Sequence, residues 1–191
     1  MARKIETWGI ADIPDPVAFA KICENLSPRE ILIISCSILD SLLADLISTT
    51  LIQDEKEVEA FIGLDGNGRA PLGSFGSRIQ AAYLLGQIDD FNMKVLRTLK
   101  DVRNIYSHQV RVSLDDPRIL GRVKGMIDYS KKMKTPPSRK RAHQKYRKMV
   151  EDIPFDKGAV LGYCMGAAVC SMGYIAQKIQ KRATKKRPKT K

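Results

Sequence analysis

Apolar positions recur at helical spacing along most of the chain, and no stretch shows the strict alternation of a half-buried strand. The clearest start is Ser27-Pro28-Arg29-Glu30, which predicts a capping box with proline at the first helical position. It opens the stripe Leu32, Cys36, Leu39, Leu43 and Leu46, so a helix is expected over about 28–52. A shorter one is expected over 55–62, before the turn-rich Gly63-Leu64-Asp65-Gly66-Asn67-Gly68. From Phe75 the positions Ile79, Ala82, Tyr83 and Gly86 repeat, and from Phe91 the positions Val95, Leu99, Val102 and Tyr106 repeat again. Those two stripes predict helices over about 74–87 and 89–108.

Asp115-Asp116-Pro117 predicts a further start, with Asp as N-cap and Pro in the first turn of a helix over about 115–128. Thr135-Pro136-Pro137-Ser138 then breaks the pattern, and a helix resumes near 142–150. The last helix is expected over about 157–182. The fold class is therefore all-α, a single helical domain of six or seven helices. Residues 1–130 form its core, 131–148 a basic linker, 149–182 a C-terminal helix packing on the core and 183–191 a basic tail.

Charge sharpens this division. The chain has 191 residues and a formal charge of +12, from 33 basic against 21 acidic side chains. Nine of the basic ones fall within 131–148: Lys131, Lys132, Lys134, Arg139, Lys140, Arg141, Lys145, Arg147 and Lys148. Eight more fall within 178–191, Lys185, Lys186 and Arg187 among them, and neither window holds an acid. Removing those 17 leaves 16 basic against 21 acidic residues, so a mildly acidic body carries two basic segments. Such segments suit RNA, DNA or an acidic protein partner through steeply salt-dependent contacts, but with Tyr146 as their one aromatic they offer little base stacking. The structural alternative is that both are simply solvated.

The N-terminus has no apolar core of a secretory signal, which points to a cytoplasmic protein. Cys23, Cys36, Cys164 and Cys170 sit in apolar runs without CxxC spacing, arguing against zinc and against a disulfide framework. Asp65 and Asn67 resemble the start of a calcium loop, but its twelfth position is Gly76, so no metal or other cofactor is expected. The uncharged run 158–177 is long enough to span a bilayer. Its Gly158, Gly162 and Gly166 repeat at four, the spacing of closely approaching helices, and a packed central or dimer helix is the better reading than a membrane partner.

No phosphate-binding glycine loop and no nucleophile triad is present. His143 lies in the basic linker. Arg103-Asn104-Ile105-Tyr106-Ser107-His108 puts a guanidinium, a carboxamide and an imidazole within six residues, a set suited to phosphate and ribose chemistry. In that reading Arg103 holds a phosphate, His108 exchanges a proton with a ribose 2′-hydroxyl and Asn104 orients one of them. Arg103 and His108 stand about 140° apart on an ideal helix, so the helix must end at His108 or both must reach into a shared cleft. The structural alternative has them capping the helix or pairing with Asp40, Asp45 or Asp101. Asp40 stands among leucines, where a carboxylate either lies at the edge of the stripe or meets a cation such as Arg78 or Arg103.

Leu39-Asp40, Gly66-Asn67-Gly68, Pro71-Leu72-Gly73, Ser77-Arg78, Ala82-Tyr83-Leu84-Leu85-Gly86-Gln87-Ile88 and Arg103-Asn104 with His108 together resemble the mannitol operon repressor family over about residues 30–125. That resemblance implies an all-α transcriptional regulator without a helix-turn-helix. Separately, Arg103-Asn104-x-x-x-His108 is similar to the Arg-x4-His signature of HEPN domains, all-helical dimers that include metal-independent ribonucleases. This second resemblance implies a homodimer with Arg103 and His108 as the catalytic pair and Asn104 beside them. Three functions follow as expectations: a regulator, an RNase, or a non-catalytic binding module using the basic segments.

Overall fold

The computed structural model describes residues 16–51, 54–63, 68–109, 111–132 and 160–186. Among these residues it is all helical, with no strand. The helices are α1 (Pro16–Cys23), α2 (Pro28–Ser48), α3 (Glu55–Ile62), α4 (Phe75–Leu84), α5 (Asp90–His108), α6 (Pro117–Lys132) and α7 (Val160–Lys186). Turn residues 64–67, linker residues 133–148 with the helix expected near 142–150, His143, Gly158 and Arg187 lie outside the described residues.

Local chemistry explains the ends. At α2 the Ser27 side chain accepts from the Glu30 amide, and Glu30 Oε2 accepts from the Ser27 amide at 2.7 Å, closing the capping box. The helix stops at Ser48, short of the expected 52. There the hydroxyls of Ser48, Thr49 and Thr50 donate to the Ala44, Leu46 and Ile47 carbonyls, competing with the backbone ladder. Helix α4 stops at Leu84 rather than 87 because Gly86, with φ 64°, turns the chain left-handed. The Gly86 amide then donates to Tyr83 O and the Gln87 amide to Ala82 O, at 2.9 and 2.7 Å.

Helix α6 opens where Asp116 Oδ1 accepts the Arg118 amide at 2.9 Å, and it runs on to Lys132. Lys131 and Lys132 therefore belong to its last turn and not to a linker. Likewise α7 runs from Val160 to Lys186, so Lys185 and Lys186 lie in a helix where a tail was expected. The short α1, which buries Phe19, was not expected at all.

Helix α2 is the axis of the bundle, packed against α3, α4, α5 and α7, while α5 also packs on α4, α6 and α7. Leu39, Leu42, Leu43, Leu46 and Ile47 are fully buried, each leucine worth roughly 1.5–3 kcal/mol of burial. By length and composition α2 and α7 could each cross a membrane, and here the apolar faces of both join one buried cluster. Gly162 and Gly173 of α7 are exposed, and a Cβ at either would meet nothing within 4 Å. Packing within the chain therefore does not require glycine at those two positions.

Candidate functional site

Helices α2 and α5 run antiparallel, as two contacts fix: Arg29 Nη2 donates to Tyr106 O at 2.5 Å, and the Cys36 thiol donates to Leu99 O at 3.6 Å. Side chains on a helix lean toward its N-terminus, so Arg103 on α5 reaches back along the seam toward Cys36 and Asp40 of α2. Both residues feel its charge.

Arg78 approaches Asp40 from α4. Its Nη1 lies 2.8 Å from Asp40 Oδ1, its Nε donates to Leu72 O at 2.8 Å and its Nη2 donates to Ile62 O at 2.9 Å. Ile62 ends α3, so this buried guanidinium also satisfies a helix C-terminus, where cations are favoured. The same device recurs around the bundle. Arg29 meets the end of α5, Lys178 donates to Gln87 O in the turn after α4 at 2.5 Å, and Arg182 donates to the Thr49 hydroxyl at the cap of α2 at 3.2 Å.

Around Asp40 burial wins over charge. It raises the carboxyl above its ordinary range although Arg78, and more weakly Arg103, pull it down. Burial likewise pushes the Cys36 and Cys164 thiols up to about 12, against the Arg103 charge in the case of Cys36, so neither is a ready nucleophile.

Arg103 is half-buried, and its Nε is buried without a hydrogen-bond partner among the described residues. Asn104 is half-buried too. His108 is the last residue of α5 and is exposed, with Gln109 extended as the C-cap at φ −130° and ψ 123°. No hydrogen bond among the described residues joins Arg103, Asn104 and His108. Asp101 pairs instead with Lys100 at 3.3 Å and Arg122 at 3.6 Å, and Asp45 takes no ion pair among the described residues.

The structure thus gathers Asp40, Arg78 and Arg103 at one seam and leaves His108 on the surface. Sequence reasoning passed over Arg29 and gave Cys36 only a packing role; Arg29 stood inside the capping box, the one signal that could have marked it. Lys131 and Lys132 are exposed at the end of α6, and Lys185 and Lys186 lie in the last turn of α7. Lys134, Arg139, Lys140, Arg141, Lys145, Arg147 and Lys148 lie outside the described residues, as does Arg187. No three His, Cys, Asp or Glu among the described residues are grouped to hold a metal ion.

No family model matches the chain. No curated protein matches it in sequence. Among solved structures it is similar to a chain described as the X-ray structure of the MtlR-HPr complex from Escherichia coli, at 18% identity and a TM-score of 0.47, over 86% of this chain and 95% of that one.

Proposed function

We propose that the protein is a regulator resembling the mannitol operon repressor family, acting by contact with nucleic acid or with another protein. One observation supports this most. The separated pieces Leu39-Asp40, Pro71-Leu72-Gly73 and Ser77-Arg78, which carry the resemblance, meet around the Arg78 guanidinium. There they hold α2, the end of α3 and the turn before α4 together. Groups engaged in that way hold the framework together and are not free for chemistry. The reading is tested by selecting duplexes from a random pool and comparing the enriched sequence with a scrambled one at equal salt. A regulator of DNA discriminates by a factor on the order of 10³ or more. Equal affinity for both, falling steeply with salt, would leave only a non-specific module working through residues 131–148 and 178–191.

A second reading, an HEPN-like metal-independent RNase, draws support from α5 ending at His108 and from Arg103 lying outside any ion pair among the described residues. Mixed RNA incubated in EDTA with the wild type, Arg103→Ala and His108→Ala separates it. Cutting by the wild type alone, at unchanged melting temperature in both variants, favours the RNase. Intact RNA in all three excludes it.

A further inference from the structure

Helix α6 buries Ile119, Val123, Met126, Ile127 and Ser130 and leaves its opposite side to solvent. At 3.6 residues per turn that exposed side sorts into rows. Gly121, Gly125 and Lys132 run along its middle, Arg118 and Arg122 along one flank, and Lys124 and Lys131 along the other. Asp128 is its one acid. A Cβ at Gly121 or Gly125 would meet nothing within 4 Å, so packing among the described residues does not require two glycines that a helix interior disfavours. Arg118 is held by Asp116 at 2.6 Å and Arg122 stands 3.6 Å from Asp101, whereas Lys124, Lys131 and Lys132 have no ion pair among the described residues. Exposed Lys94 and Arg97 share the α5 face that carries Asp101, so the positive surface continues across the α5 and α6 pair.

We propose that this face of α6, with Lys94 and Arg97 beside it, is a docking surface for the sugar-phosphate backbone of double-stranded DNA. The bare strip at Gly121 and Gly125 lets that backbone approach the helix closely, and the cations on both flanks neutralise its charge. Lys131 and Lys132 also begin the basic run that continues in sequence to Lys148. An acidic protein fits the face less well. Protein interfaces are anchored by large apolar side chains, and the exposed ones, Ile22, Ile33, Phe61, Leu84 and Leu85, all lie on α1 to α4 or the cap after α4. The one aromatic of α6, Tyr129, is half-buried and not presented for stacking on unpaired bases, which favours a duplex over a single strand. Contacts of this kind position a protein on DNA without reading its sequence. The proposal rests on the DNA-binding arm of the regulatory reading and adds where that contact is made.

The test is fluorescence anisotropy of a labelled random-sequence DNA duplex titrated with the full chain between about 50 and 200 mM salt. Combining Lys124→Gln with Lys131→Gln and Lys132→Gln is expected to weaken binding about tenfold or more and to lower the salt slope by about 1 per contact removed. Gly121→Gln with Gly125→Gln removes no charge and improves helix propensity, so it is expected to keep or raise the Tm and still weaken binding by about fivefold or more. Lys56→Gln on α3 is expected to bind as the wild type does. Wild-type affinity in both α6 variants, or a loss confined to Lys185→Gln with Lys186→Gln on α7, overturns the proposal. So does tighter binding of polyglutamate, of an RNA duplex or of single-stranded DNA, or no duplex binding by the wild type. Loss in the α6 variants with no preferred sequence for the wild type keeps this inference and sinks the sequence-specific regulator, whereas a preferred sequence bound equally by the α6 variants does the reverse.

Discussion

Arg78 and Arg103 approach the same carboxylate from two helices, and they are different kinds of residue. Arg78 is buried, donates from Nε and Nη2 to backbone carbonyls, holds Nη1 2.8 Å from Asp40 Oδ1 and joins α2, α3 and the turn before α4. Arg103 is half-buried, has one nitrogen without an acceptor among the described residues and joins nothing but the field around Asp40 and Cys36. The first arrangement holds three elements together, and the second leaves a buried donor that contributes no such tie. The contrast teaches that a buried cation is informative about function only after its hydrogen bonds have been accounted for.

The sharpest way to break the comparison is Arg78→Gln. Removing one partner of a buried pair leaves the other charge uncompensated, and here the hydrogen bonds to the Leu72, Ile62 and Gly63 carbonyls go with it. Because Asp40 keeps partial exposure, with 29% of its side chain accessible, the expected loss is about 3 kcal/mol rather than the upper end of such values. Urea unfolding measures it. In the same variant the Asp40 carboxyl, already raised by burial, loses its main opposing charge and rises further. A raised carboxyl stabilises the fold below its unfolded pKa and loses that contribution as pH climbs through the folded value, so the deficit of Arg78→Gln is expected to widen toward neutral pH. A deficit under about 1 kcal/mol, flat with pH, would show that Arg78 is no clamp.

Asp40→Asn is expected to be milder, at about 1–2 kcal/mol, since it also ends the burial of a charge. Its value lies in the double-mutant cycles. Coupling between Asp40 and Arg78 is expected to exceed that between Asp40 and Arg103, and equality of the two would erase the distinction between the arginines.

How far this was legible in the sequence depends on which atoms are involved. The start of α2 could be read because a capping box is written in side chains, and the stripe Leu32 to Leu46 because burial is. The end of α4 was misplaced because Gly86 fits the helical spacing by position while its φ of 64° ends the helix. Asp40 beside Arg78 was one of two open alternatives, and the sequence had no means to choose. The acceptors that complete Arg78, the carbonyls of Leu72 and Ile62, belong to the backbone and leave no mark of residue type. For the same reason the unsatisfied Nε of Arg103 could not be foreseen. Asn104 and His108 were grouped with Arg103 by proximity along the chain, and the helix then carried them to different surroundings.

Asp45 offers a control away from the seam. Burial raises its carboxyl to about 6, with no opposing charge. Its contribution to stability is therefore fully present below an unfolded pKa near 4 and is lost as pH rises through about 6. Asp45→Asn is expected to flatten that part of the stability profile relative to the wild type, between about pH 4 and 7, and unchanged profiles would show that the carboxyl is solvated. The change is expected to be smaller than at Arg78 because the site is only half-buried.

The smallest expected change in stability is the most telling one. Arg103→Gln removes a charge with no close ion pair and a buried donor with no acceptor, so the usual penalty for deleting a buried polar group is largely absent. Its unfolding free energy is expected to stay within about 1 kcal/mol of the wild type, or to rise. Urea unfolding in chloride alone checks this. A loss as large as that of Arg78→Gln would mean that Arg103 is a second clamp whose acceptors lie elsewhere in the chain, and the seam would then be architecture throughout. A neutral result, set beside the cost at Arg78, would mark Arg103 as a residue that the fold tolerates and does not use.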